Sequence, residues 1–262
     1  MKKIDVKLIS SDNLNLLTQV ACEVTRGANK FSSVSELLKA INDNPWSNEK
    51  ILDILSLPHS KIARFTDFTF LITGASRRFL AQLTTHHVGI SIMSGSLQYS
   101  DHSKRHLKDM FVVPYELLDT EFEAGYLDEQ ARAMEAYNAI AEVASNDTAG
   151  YTAPHSLRNV LLVKVNLEEL KFIANQRLCK RNTDETRYII ALMVRLVCEE
   201  LGLPDAWFFP SCYQIGKCKE GRYACGKPIL DKINTDKQGS LSLDKFYIEN
   251  YIAEEFPKLR NR

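Results

Sequence analysis

An α+β fold, with a mixed sheet flanked by helices, is the class this sequence predicts, and three observations predict it. Residues 65–73 (F-T-D-F-T-F-L-I-T) and 160–165 (V-L-L-V-K-V) are short runs of β-branched and aromatic residues, the composition of strands. Residues 127–143 place Ala, Leu and Ile at helical spacing with no Gly or Pro inside. The chain has 262 residues, 45% hydrophobic and 25% charged, which is enough apolar material for a real core. Strand-like and helix-like segments are interspersed along it, so helices are expected to flank a sheet.

The elements follow in order. Ser35 is a candidate N-cap for a short amphipathic helix ending near Ile41. The strand at 65–73 is broken by Gly74, after which Ser76 can cap a helix running to about Thr84. Residues 88–93 are a further candidate strand, and Val112-Val113-Pro114 a short extended piece. The strand at 160–165 leads into Asn166-Leu-Glu-Glu169, a capping-box pattern opening a helix to about Gln176. Asn182-Thr-Asp-Glu185 repeats that pattern and starts a helix to about Leu201, ended by Gly202 and Pro204. Beyond Pro204 the chain reads as irregular until a final helix over 243–255. The expected organisation is a main domain, 1–205, with a cysteine-bearing extension, 206–262, packed on it.

Charge and hydropathy narrow the function. Net charge is zero and the pI is near 7, so no basic field points to nucleic acid. No apolar run reaches the roughly 18–20 residues of a membrane helix. The opening M-K-K-I-D-V-K is too polar for a secretory signal. A cytoplasmic protein, with neither nucleic acid nor membrane as partner, is expected.

Two polar segments stand out. The first, residues 76–100, passes from a helix into a stretch that holds, up to Tyr99, adjacent histidines, two glycines and three serines. Gly89 and Gly95 allow close backbone approach, and Ser91, Ser94 and Ser96 could cradle a phosphate; a plain surface loop is the alternative. In the second, residues 175–187, Arg187 falls in the first turn of a helix, where amides and a guanidinium can hold one anion together.

These segments resemble the flavin-dependent thymidylate synthases. Ser76, Arg77, Gln82, Leu83 and His86 fall in register with that family's S-R…Q-L-x-R-H-R, and Ser91, Ser96 and Tyr99 with S-x-x-x-x-S-x-R-Y after a one-residue insertion. His59 stands on the first histidine of the family's entry strand. Asn175, Arg177, Glu185 and Arg187 fit N-x-R…A-Q-x-E-I-R. Departures are also visible. Thr85 and His87 replace the two arginines of R-H-R, Met93 and Ser94 an Asn-Glu pair, and Gln98 an arginine. Arg64 stands where the entry motif has glutamate, and Glu168 where an N-A-R motif has arginine.

The resemblance implies an enzyme that methylates dUMP at C5, with FAD at subunit interfaces of a homotetramer, methylenetetrahydrofolate as carbon donor and NADPH as reductant. It assigns Gln82, Ser94, Ser96, Gln98, Tyr99 and Arg187 to a pyrimidine nucleoside monophosphate. His59, Thr85, His86, His87, Ser91, Asn175 and Arg177 fall to the flavin. No cysteine adds to the pyrimidine. The lost arginines and the reversed charge at Glu168 favour a changed acceptor, UMP or a cytidylate, as one alternative; Arg64, Arg158 and Arg181 are candidates to replace the missing charge. A non-catalytic, metal-stabilised nucleotide-binding relative is the other.

Six cysteines are present. Cys212, Cys218 and Cys225 have a C-x5-C-x6-C spacing interleaved with glycines, and Cys179 lies in the second segment. Four thiolates would suit Zn2+ or a [4Fe–4S] cluster; four unligated thiols are the alternative. Cys22 and Cys198 read as core residues.

Overall fold

A computed structural model describes residues 4–27, 30–57, 60–97, 109–215, 218, 220–225 and 247–259. The chain begins with a strand, β1 (Asp5–Ser11), that its polar composition did not announce. Three helices follow, α1 (Leu14–Thr25), α2 (Val34–Asp43) and α3 (Asn48–Ser56), each N-capped by a side chain: Asn13, Ser33 and Ser47. The cap of α2 is thus Ser33, which accepts from the Glu36 amide, and not Ser35. Then come β2 (Asp67–Ser76), α4 (Arg77–Leu83), β3 (Ile90–Ser94), α5 (Phe122–Val143), α6 (Asn146–Gly150) and β4 (Arg158–Asn166). The chain closes with α7 (Leu167–Arg177), α8 (Asp184–Leu201), α9 (Ser211–Ile215) and α10 (Ile248–Glu255).

The sheet has the order β1-β2-β4-β3, and every pairing is antiparallel. The expected mixed sheet is therefore corrected to an antiparallel one. Local composition marks a strand but not its direction, which only the pairing partner decides. Gly74 also does not end β2. It adopts φ 80° and takes up a register shift between Thr73 and Ala75, so the strand continues to Ser76 as a bulged strand.

One sheet face is the core. Phe68, Phe70 and Ile72 of β2 alternate inward and meet Leu161, Val163 and Val165 of β4, all fully buried. The apolar face of α8 lies against them, with Ile189, Ile190, Met193, Val194 and Val197 buried. Residues beyond 205 join this same core through Phe208, Phe209, Tyr213, Ile248, Tyr251 and Phe256. A second, smaller cluster forms where α5 packs on Met110, Phe111 and Leu157.

Among the described residues, no element covers the middle of the opposite sheet face. Leu71, Leu162 and Met93 are register partners across three strands and are 37, 37 and 71% exposed. Among the described residues, no helix is long and apolar enough to cross a membrane.

Phe70 fills the centre of the buried face. Phe70→Ala should lower unfolding free energy by about 3–5 kcal/mol, from lost transfer energy and the cavity left behind. Urea unfolding of the two proteins measures it.

Candidate functional site

The two polar segments meet where α4 ends and α7 turns into α8. Ser76 caps α4, its Oγ accepting from the Phe79 amide at 3.0 Å. Its own amide and hydroxyl donate to Glu185 of α8 at 2.6 and 2.5 Å. Burial holds the Glu185 carboxyl above its usual range, against the bonds from Ser76 and the charges of Arg158 and Arg78. Glu185 therefore ties the start of α4 to the start of α8, rather than closing a capping box. At the far end of α4, Gln82 Oε1 accepts from Thr183 Oγ1 at 3.2 Å and also from Thr186 Oγ1.

Arg177, the last residue of α7, is the hub. Its Nε donates to His86 Nε2 at 3.1 Å, and its terminal nitrogens donate to Asn182 Oδ1 at 3.2 Å, the Gln82 carbonyl at 3.3 Å and Thr85 Oγ1 at 2.8 Å. His86 is buried, and its Nδ1 lies 3.1 Å from Glu169 Oε1. These contacts select one tautomer: Nε2 accepts from arginine, so Nδ1 carries the proton and donates to the carboxylate. Burial first, and then the Arg177 charge, push the imidazole down to about 4. His86 stands edge-on to Phe172, ring centroids 6.0 Å apart, and Phe172 is half exposed.

Both capping-box patterns are redirected by this cluster. Asn166 does accept from the Glu169 amide at 2.8 Å. The Glu169 side chain, though, goes to His86, while the Asn166 amide donates to Gly89 at 2.9 Å. A Cβ at Gly89, where φ is 70°, would collide with the Asn166 side chain. Thr183, not Asn182, is the N-cap of α8; Asn182 accepts from Arg177 and donates to the Gln176 carbonyl at 2.8 Å.

Of the expected site residues, Gln82, Thr85, His86 and Arg177 come together. Asn175 does not join them: its amide donates to the Trp207 and Phe209 carbonyls at 3.1 and 2.8 Å, pinning the chain after α8. Arg187 is buried and engaged by α10. His87 is exposed beside the cluster. Ser91 and Ser94 are exposed on the edge strand β3, and Ser96 follows in the adjoining loop. His59, Gln98 and Tyr99 lie outside the described residues.

The sign reversals at positions 64 and 168 prove to be one feature. Arg64 and Glu168 form an ion pair with two contacts between guanidinium and carboxylate. The charge at Glu168 is thus answered by Arg64, and it carries no argument for a different acceptor. Arg158 is buried and serves the fold, donating to the Phe111 and Gly74 carbonyls at 3.0 and 2.7 Å.

Among the described residues, the expected four-thiolate site is not shown. Burial and then the proximity of Cys179, Cys218 and Cys225 push the Cys212 thiol up to about 11, so the four share a neighbourhood. Arg181 docks the cysteine-bearing loop through Glu220 at 2.9 Å and through the Tyr223 ring. Yet among the described residues no three potential ligands have the placement to hold a metal ion, and Cys225 is exposed. Sequence spacing could suggest nearness; it could not set thiol direction.

Beside the cluster lies a cleft of about 580 Å3, lined in part by Ser76, Asn182 and Glu185 of the two polar segments. Arg78, Lys180 and Arg181 bring positive charge to it, Ser76 and Thr183 hydroxyls, and Tyr115 and Tyr126 aromatic surface. Lys180-Arg181-Asn182, three polar residues in the turn before α8, was the available signal.

Two measurements test the cluster. In the folded chain His86 resists protonation that the unfolded chain accepts below its ordinary value of about 6.5. Unfolding free energy should therefore fall as pH drops from about 6.5 towards about 4. Arg177→Ala should cost about 1.5–3 kcal/mol, the range for a hydrogen bond to a charged group, and should raise the His86 pKa. Urea unfolding at pH 7 and 5, with NMR titration of the imidazole, checks both. For the ion pair, Glu168→Arg alone should destabilise the protein through two facing cations, and adding Arg64→Glu should restore it. Melting temperatures of the single and double variants check this.

Comparison with known proteins identifies the family and the fold. Residues 7–201 match the family model described as thymidylate synthase complementing protein, Thy1. A flavin-dependent thymidylate synthase of Pyrococcus abyssi is 29% identical over 173 residues, covering 64% of this chain and 70% of that protein. The same enzyme of Pyrococcus horikoshii is 30% identical, covering 64% and 71%. The fold is shared with thymidylate synthase X of Helicobacter pylori, solved with FAD and dUMP: TM-score 0.57, 19% identity, 73% of this chain and 92% of that one. It is shared also with a UMP/dUMP methylase of Streptomyces cacaoi bound with 5-bromo-dUMP: TM-score 0.59, 15% identity, 76% and 91%. With a family model spanning most of its length and relatives of a single activity, this chain belongs to the family of flavin-dependent thymidylate synthases.

Proposed function

We propose that this enzyme methylates dUMP at C5, using FAD, with methylenetetrahydrofolate as carbon donor and NADPH as reductant. The observation that carries the reading is the Arg177 hub, which joins both motif-bearing segments through His86, Thr85, Gln82 and Asn182. A network this connected persists where all its members are satisfied together.

The residues present fit a flavin dinucleotide. Thr85 and His87 are exposed beside the partly buried hub, and Ser91 and Ser94 are exposed on β3, the edge strand among the described residues. Hydroxyls, an imidazole and a nearby guanidinium are a donor set for a pyrophosphate, and half-exposed Phe172 offers an apolar surface beside His86. Bound flavin supplies hydride chemistry; the chain's own residues orient the rings and shield them from water. The cleft walled by Arg78, Lys180 and Arg181 is the place for the nucleotide, with cations for its phosphate and Tyr115 and Tyr126 beside its base. A homotetramer is supported by the uncovered apolar row Leu71, Leu162 and Met93, which a second copy would bury.

A second reading, UMP as acceptor, is favoured by the fold shared with the Streptomyces methylase and by Thr85 and His87 in place of fixed cations. Purified protein should show a flavin spectrum after titration with FAD. Given methylenetetrahydrofolate and NADPH, it should convert dUMP to a product one methyl group heavier in a panel of dUMP, UMP, dCMP and CMP scored by mass. Absence of FAD binding would remove the reading; turnover of UMP with dUMP inert would replace the acceptor.

A further inference from the structure

Arg187 is the arginine that the family resemblance gives to the nucleotide phosphate, yet here it is 5% exposed and fully engaged. Its Nε donates to the Tyr251 hydroxyl at 3.1 Å, and one terminal nitrogen donates to Asp184 Oδ1 at 2.8 Å. The other terminal nitrogen donates to Glu255. The Tyr251 hydroxyl in turn donates to the Leu178 carbonyl at 2.8 Å. The second oxygen of Glu255 lies 2.7 Å from Lys180 Nζ. One carboxylate at the end of α10 therefore bridges two cations, one from the turn after α7 and one from the first turn of α8.

That arrangement has the chemistry of a phosphate site with a carboxylate in it. A guanidinium and an ammonium aimed at neighbouring oxygens of one anion are what a phosphate monoester uses. Burial alone would raise the Glu255 carboxyl; the bonds from Lys180 and Arg187 outweigh it, and the group stays ionised below the usual range. The charges balance: Lys180 and Arg187 face Glu255 and Asp184. One arm of the fork, Lys180, and the Asp184 partner of Arg187 also line the cleft assigned above to the nucleotide. With Glu255 in place, an entering phosphate meets a neutralised site. Without it, the site carries one uncompensated positive charge.

We propose that Glu255 is an internal stand-in for phosphate: its carboxylate occupies the Lys180–Arg187 fork, the phosphate of a bound nucleotide competes with it, and Glu255 thereby sets nucleotide affinity. The proposal rests on the nucleotide reading of the cleft. The competing explanation is that Glu255 merely fastens α10. A control for that is built into the helix: Glu249 bonds Arg195 at 3.1 Å, holding α10 to α8 away from the fork.

The test uses the full chain and three probes, inorganic phosphate, dUMP and deoxyuridine, titrated by calorimetry into wild type, Glu255→Gln, Glu255→Asp and Glu249→Gln. Melting curves confirm that each is folded. Glu255→Gln should bind phosphate and dUMP about tenfold more tightly, as expected for one charged contact no longer displaced. Deoxyuridine should be unaffected, and Glu249→Gln should match wild type. Glu255→Asp keeps the charge but shortens the reach, and a smaller gain is expected; it serves if the glutamine variant does not fold. Unchanged or weaker phosphate binding in a folded Glu255 variant would overturn the proposal, as would an equal gain in Glu249→Gln. Tighter phosphate with no dUMP binding by any variant would support the internal occupant and overturn the nucleotide reading instead.

Discussion

The guanidinium of Arg177 is the constraint on which the candidate site depends. It is placed at the end of α7, and it reaches four groups that local sequence would otherwise leave apart: His86, Thr85 and Gln82 at the end of α4, and Asn182 before α8. A planar fork with fixed donor directions suits this task, because each contact it makes restricts the others. His86 is kept neutral by that contact and by burial, and its remaining N–H commits Glu169. Those residues are thus locked in one protonation pattern, which is the preorganisation that a site built on rigid elements needs.

Around this hub, charged groups are used to join elements rather than to face water. Glu185 fastens α8 to the start of α4 through Ser76, and Arg158 holds two carbonyls at the bulged end of β2 and before α5. Burying such groups is costly unless each finds a partner, so their pairing is a condition of the fold and not an ornament on it. The Arg64–Glu168 pair belongs to the same logic on the surface. Two departures from the family pattern that look independent along the chain cancel in space, and the case for an altered acceptor narrows to the missing cations at Thr85, His87 and Gln98.

The extension beyond residue 205 is part of this design. Its aromatic residues complete the main core, and Tyr251 and Glu255 reach the buried Arg187. The final helix of this extension, already legible in the sequence, thereby reaches the first turn of α8.

The sequence by itself determined the class of fold, the helix caps at Ser76 and Asn166, the αL end of α8 at Gly202, and the two segments that form the site. Each depends on short-range chemistry, a side chain and an amide three residues away or a glycine free to take positive φ, and such signals are written locally. Only the tertiary structure decided strand direction, the bulge at Gly74, the pairing of Arg64 with Glu168, and the recruitment of Glu169, Asn182 and Glu185 away from capping. It also decided that Cys179, Cys212, Cys218 and Cys225 are neighbours without a metal-holding arrangement among the described residues. For Glu169 and Glu185 the reason is the same. A polar side chain within reach of several partners takes the one that burial makes most costly to leave unpaired, and that partner lies on a distant part of the chain.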